Sequence, residues 1–242
     1  MRAISSMLLF FVSHLAFAGA DYVREKKWAD EIVPGIVVGD PVYLELKNTH
    51  KFLTLYTEAK GASTGLVIVH GTGIHPDWNM IGTLRTQLAD LGYTTLSIQM
   101  PVLGNEAASD AYLPLFPEAA ERIGVAVEFL KAKGYKRVVI VSHSMGSAMS
   151  RMYVVNNPSV IAGWASLGMG QGYTYMGILV PVLDLYGEHD LPPVLKMAKK
   201  RAASLKGKAK SRQVRLARSD HFYTGQEAEM VKSVSTFLEG FK

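Results

Sequence analysis

Ser144, Asp190 and His221 supply, in that chain order, the residue types that nucleophilic acyl chemistry needs. A serine hydroxyl is a weak nucleophile at neutral pH. It needs a base beside it, a group that orients the base, and donors for the developing oxyanion. Ser144 lies in the run Val138-Val139-Ile140-Val141-Ser142-His143-Ser144-Met145-Gly146. An apolar β-branched run ending in small-x-Ser-x-Gly predicts a buried strand, a sharp turn and a helix, with the hydroxyl at the apex. Ser142 stands where the usual pattern has Gly, and it is small enough to count as a variant of that pattern.

Partners for the serine lie in three distant stretches. Leu66-Val67-Ile68-Val69 is a short apolar run followed by His70-Gly71-Thr72-Gly73. A glycine-rich loop directly after a central strand can aim free backbone N–H groups into a cleft. The expected oxyanion hole pairs the Met145 N–H with the Thr72 amide, Gly73 being the alternative. Val180-Pro181-Val182-Leu183-Asp184-Leu185-Tyr186-Gly187 reads as another core strand, ending in Gly187-Glu188-His189-Asp190. Asp190, just past the Gly turn, is the best-placed acid. Asp184 sits inside the strand, Asp220 adjoins the histidine, and Glu188 is a further alternative. His221 follows the half-buried run Val214-Arg215-Leu216-Ala217 and precedes the final helix. The order Ser, Asp, His is the one used by α/β-hydrolases, whereas chymotrypsin and subtilisin arrange the three differently.

The chain resembles the α/β-hydrolase superfamily from about Leu44 to its C-terminus. More narrowly, it is similar to an uncharacterised bacterial family of that superfamily, a domain of unknown function. That closer resemblance rests on His70-Gly71-Thr72-Gly73-Ile74-His75-Pro76-Asp77-Trp78, Leu96-Ser97-Ile98-Gln99-Met100-Pro101, Leu115-Phe116-Pro117-Glu118-Ala119, Ser142-His143-Ser144-Met145-Gly146, Leu183-Asp184-Leu185-Tyr186-Gly187 and Asp220-His221-Phe222. The resemblance implies Ser144 as nucleophile, His221 as base and Asp190 as orienting acid. It brings no substrate with it. The implied activity is hydrolysis of a carboxylic ester or related acyl bond, with no cofactor and no metal. Thioesterase, peptidase and acyltransferase chemistry share the machinery, and a non-catalytic binding or assembly protein on the same scaffold is the alternative.

Element patterning predicts an α/β fold with a mostly parallel central sheet and helices on both faces. Strands are expected at Pro41–Lys47, Phe52–Thr57, Leu66–Val69, Tyr93–Met100, Val138–Ser142, Ile161–Leu167, Val180–Tyr186 and Arg212–Ala217. Helices are expected at Asn79–Leu91, from Pro117 to Gly134, at Met145–Val155 and at Gln226–Leu238. Only Gly168 to Gly177 separates two of the strands, too little for a large lid. The expected cleft is therefore open and shallow, bordered by Gly71, Gly73, Trp78, Met169, Tyr173 and Tyr175, and suited to a small or medium ester.

Composition sets outer limits. The 242 residues are 48% hydrophobic and 19% charged, which predicts one globular domain over residues 21–242. Cysteine is absent, which excludes disulfides, thiol nucleophiles and cysteine–metal sites. Met1-Arg2, an apolar stretch from Ile4 to Phe17 and the cleavage sequences Ala16-Phe17-Ala18 or Ala18-Gly19-Ala20 predict a signal peptide over residues 1–20. The mature protein is then expected to be exported, periplasmic or secreted. From Lys196 to Arg218 there are ten Lys or Arg residues and no acid. Such a run is ordinarily a solvated face, though it can attract anionic surfaces weakly. Basic residues are not interleaved with stacking aromatics, so no nucleic-acid partner is expected. His70, His75, Asp77, His189 and Asp190 lack the spacing of a metal motif.

Overall fold

The computed structural model describes residues 19–241, so most of the expected leader lies outside the described residues. Strands β1 (Asp40–Glu45), β2 (Lys51–Thr57), β3 (Thr64–Val69), β4 (Thr94–Ile98), β5 (Arg137–His143), β6 (Gly163–Leu167), β7 (Val182–Gly187) and β8 (Arg212–Leu216) form one sheet in the order β1-β2-β4-β3-β5-β6-β7-β8. β2 pairs antiparallel with both β1 and β4, and every pairing from β4 to β8 is parallel.

Helices cover both faces, as the continuous burial of the central strands requires, since successive side chains point to opposite faces. Leu66 and Ile68 of β3 pack with α2 (Asn79–Asp90) and α6 (Glu227–Leu238). Val67 and Val69 point the other way, toward α3 (Phe116–Ala132) and α4 (Met145–Asn156). Val139 and Val141 versus Val138 and Ile140 repeat this division in β5. Parallel crossovers bring strand C-terminal ends and helix N-termini to one edge of the sheet, where a cleft forms.

Two helices depart from the expectation. α1 (Tyr22–Ile32) is polar; Asp21 caps it by accepting the Arg24 N–H at 3.0 Å, and Glu25 and Ala29 form its buried side. α5 (Pro192–Leu205) opens on two prolines, which suit the first turn of a helix, and buries Val194, Ala198, Arg201 and Leu205. The charge run therefore spans an amphipathic helix and an edge strand, and Arg201 is no part of a solvated face. The segment between β6 and β7 contains no helix, in line with the absence of a large lid. No described helix is long and apolar enough to cross a membrane.

Candidate active site

The elbow explains itself from local sterics. Ser144 has φ 55° and ψ −124°, a strained conformation for a residue with a Cβ, and it leads directly into α4. Its N–H donates to the Leu167 carbonyl at 2.8 Å, which fixes the turn against β6. Gly146 is required here, since an added Cβ would lie 2.2 Å from the His70 carbonyl oxygen. A Cβ on Gly71 would lie 2.9 Å from the Ser144 Cβ. Ser142 is accommodated in place of Gly because its buried hydroxyl accepts the Trp164 indole N–H at 2.7 Å and lies 3.0 Å from the Ser147 hydroxyl.

Ser144, His221 and Asp190 come together although they are far apart in the chain. His221 Nε2 is 2.9 Å from Ser144 Oγ, and His221 Nδ1 is 2.6 Å from Asp190 Oδ1. The carboxylate partner assigns the imidazole proton to Nδ1, leaving Nε2 to accept the serine proton. Asp190 has no exposed side-chain surface. The N–H groups of Leu191, at 2.7 Å, and Gly187, at 3.1 Å, donate to its two oxygens, so the carboxylate is held by a turn as well as by the histidine. The other acids are occupied elsewhere. Asp184 pairs with Arg201, Glu188 accepts the Arg218 N–H, and Asp220 accepts the Phe222 and Thr224 N–H groups to shape the His221 loop. Gly168 packs against the imidazole, for a Cβ there would lie 3.0 Å from His221 Cε1.

The cleft over Ser144 has a volume of about 280 Å³, and Gly71, Thr72, Ile74, Leu191, Pro193 and Phe222 are among its lining residues. A larger hollow of about 570 Å³ lies between α1 and the β1–β2 pair. Size alone would favour the hollow, but the convergent polar groups are in the smaller cleft. Thr72 lines this cleft, and Met145 begins α4, so its N–H has no acceptor within the helix. Trp78 stands behind Phe222, ring to ring at 5.2 Å. Gly73 only turns the chain, with φ 70°, beside Thr72.

Three expected border residues lie elsewhere. Tyr173 borders a separate depression with Arg151, whose guanidinium lies 5.6 Å from the ring centroid. Met169 and Tyr175 are fully buried, the Tyr175 hydroxyl donating to Asp184 at 2.8 Å. The loop folds back onto the polar cluster around Asp184, and sequence alone does not reveal that cluster. Two buried histidines flank the site. Burial holds both rings well below the usual range, at about 3, so they are neutral. His143 donates from Nε2 to the His221 carbonyl at 2.9 Å, steadying the loop that carries His221. Among the described residues, no group of three or more His, Cys, Asp or Glu side chains could hold a metal ion.

This sheet order and elbow decide the architecture. The fold is that of the α/β hydrolases. Residues 42–114 match a family described as a protein of unknown function, DUF3530. Among solved structures, a dienelactone hydrolase from Anabaena variabilis has 18% identity and a TM-score of 0.69, over 83% of this chain and 96% of that one. An α/β serine hydrolase without lid from Xanthomonas campestris has 12% identity and a TM-score of 0.68, over 85% and 96%. Est1E from Butyrivibrio proteoclasticus has 13% identity and a TM-score of 0.65, over 83% and 98%. No curated protein matches the sequence.

Proposed function

We propose that this protein is an exported serine hydrolase that cleaves small or medium carboxylic esters through an acyl-enzyme. The observation that carries the reading is the continuous relay from Ser144 Oγ through the His221 ring to a buried Asp190. In the first step His221 Nε2 takes the hydroxyl proton as Ser144 Oγ bonds to the ester carbonyl carbon. The carbonyl oxygen becomes an oxyanion and rests on the Met145 and Thr72 amides. Asp190 keeps the proton on Nδ1 and stabilises the imidazolium. Collapse breaks the bond to the leaving alcohol, which receives the Nε2 proton. Water then enters, gives a proton to the same nitrogen, and attacks the acyl carbon. Ser144 leaves with that proton, and the carboxylic acid is released.

The modest cleft volume and the lid-free β6–β7 segment support short acyl groups over long buried chains. Phe222 and Trp78 support aromatic acyl groups among these, and Est1E is known with ferulic acid bound, which makes hydroxycinnamoyl esters a useful member of a substrate panel. The positive start, apolar stretch and small-residue cleavage sequences of residues 1–20 support export. The exposed lysines of α5 support weak attraction to anionic surfaces.

The test is covalent labelling by a fluorophosphonate probe followed by mapping of the labelled peptide. Rapid labelling at Ser144, absent in Ser144→Ala together with hydrolysis of p-nitrophenyl acetate and butyrate, is the expected result. An inert wild-type protein would instead favour a binding or assembly role on the same scaffold.

A further inference from the structure

Helix α1 contributes no residue to the cleft lining, yet polar contacts connect it to the glycine loop without a gap. His70 has no exposed surface. Its Nδ1–H donates to the Gly71 carbonyl at 2.8 Å, and its Nε2 accepts the Met100 N–H at 2.9 Å and lies 3.1 Å from the Gln99 amide nitrogen. One ring thus ties the glycine loop to the end of β4. Only the neutral ring can donate from one nitrogen and accept at the other, and burial holds it in that form.

The end of β4 is itself gripped from beyond. The Gln99 carbonyl accepts from Arg122 Nη1 at 2.9 Å. Arg122 has no exposed side-chain surface, and its two terminal nitrogens meet the two Glu25 oxygens at 2.9 and 3.0 Å. Glu25 belongs to α1. Two further ties join α1 to the same segment: the Asp21 N–H donates to the Val102 carbonyl at 2.8 Å, and the Arg24 guanidinium donates to Asn105. That segment continues to Ser109, which lines the cleft.

We propose that α1 positions the oxyanion loop, with Glu25, Arg122, Gln99 and His70 acting as positioning residues that set where the Thr72 amide points. The proposal rests on the reading that Thr72 and Met145 hold the oxyanion. Amide donors work only within about 2.7–3.1 Å of the developing charge, so a small displacement of Gly71 weakens the transition state more than the bound ester. The hydrogen bonds that join Ser144, His221 and Asp190 are separate from this chain of contacts.

The experiment pairs Glu25→Gln, which keeps the side-chain shape, with Glu25→Ala, and uses Lys26→Ala on the exposed face of α1 as control. With p-nitrophenyl butyrate, kcat is expected to fall roughly two- to thirty-fold in Glu25→Ala, the range carried by contact chains of this kind, and less in Glu25→Gln. KM and the acid limb of the pH profile should stay fixed, and Lys26→Ala should match the parent. Amide hydrogen exchange at residues 71–73 should speed up in the same order. That exchange measurement needs no turnover, so it tests the positioning chain even if the wild-type protein proves inert as an esterase. Unchanged exchange in a folded Glu25→Ala, or a loss of kcat accompanied by a shifted acid limb, would overturn the proposal.

Discussion

Two arginines with no exposed side-chain surface, Arg122 on α3 and Arg201 on α5, are built in differently. Arg201 lies on α5 between β7 and β8. Its Nε sits 3.0 Å from both Asp184 oxygens, while Nη1 donates to the Met169 and Val194 carbonyls at 2.8 and 2.9 Å. Tyr175 and Gln213 complete the shell around Asp184, so its partners come from the buried β6–β7 loop, α5 and β8 packed around β7. Arg122 instead spends its best contact on Glu25, in a peripheral helix with a largely exposed outer face. Desolvating an ion pair is costly in either place. What differs is the escape route. Glu25 can return to water if α1 lifts away, whereas Asp184 can return only if the sheet opens.

That contrast is open to measurement. The largest effect is expected from Arg201→Met, which leaves a fully buried carboxylate unpaired and should cost about 3–5 kcal/mol in urea denaturation. A second change, Asp184→Leu, made in the same chain should recover most of that loss, because an apolar pair removes the stranded charge. Arg122→Met should cost less, roughly 1–3 kcal/mol, because Glu25, and the part-exposed Glu118 of α3 that also pairs with Arg122, can rehydrate as α1 detaches. Equal losses at the two sites would dissolve the distinction.

Acidification sharpens the comparison from another side. His70 and His143 are held at about 3 by burial, below the ordinary 6.5, so the unfolded chain binds protons that the folded protein refuses. Stability is then fully present above pH 6.5 and falls as the pH drops toward 3, by at most about 1.4 kcal/mol per pH unit for each histidine. Burial raises Glu25 and Asp184, which act in the opposite sense near the carboxylate range. A falling denaturation midpoint between pH 6.5 and 5, to which His75, also lowered by burial, adds in the same sense, is therefore the measure, and a flat profile there would contradict the neutral assignment of both rings. The smallest effect belongs to the exposed Lys26–Asp30 pair of α1, where Lys26→Ala should leave the denaturation midpoint unchanged.

Ser142 shows how far the chain could be read directly. Its place in the elbow was legible from spacing, but the Trp164 indole that satisfies its hydroxyl comes from the neighbouring strand. α5 was legible in principle from its opening prolines and the spacing of Val194, Ala198, Arg201 and Leu205, a pattern that the lysines obscure. α1 was harder to see, because its buried face includes a glutamate and the partner that makes burial tolerable lies 97 residues away. The short Gly168–Gly177 segment, with no room for a large lid, points to Tyr173 and Tyr175 as rim residues. Tyr175 in fact satisfies Asp184.

Sequence by itself determined the strand–helix alternation, the elbow at Ser144 and the order of the three candidate catalytic groups. These follow from hydrophobic periodicity and from which residues tolerate a sharp turn, and both are local properties. Only the tertiary structure decided that Asp190, rather than Asp184, Glu188 or Asp220, faces His221, and that Arg122 and Arg201 are buried. A carboxylate's partner and a charge's burial depend on strands and helices meeting across the sheet, and no local rule carries that information.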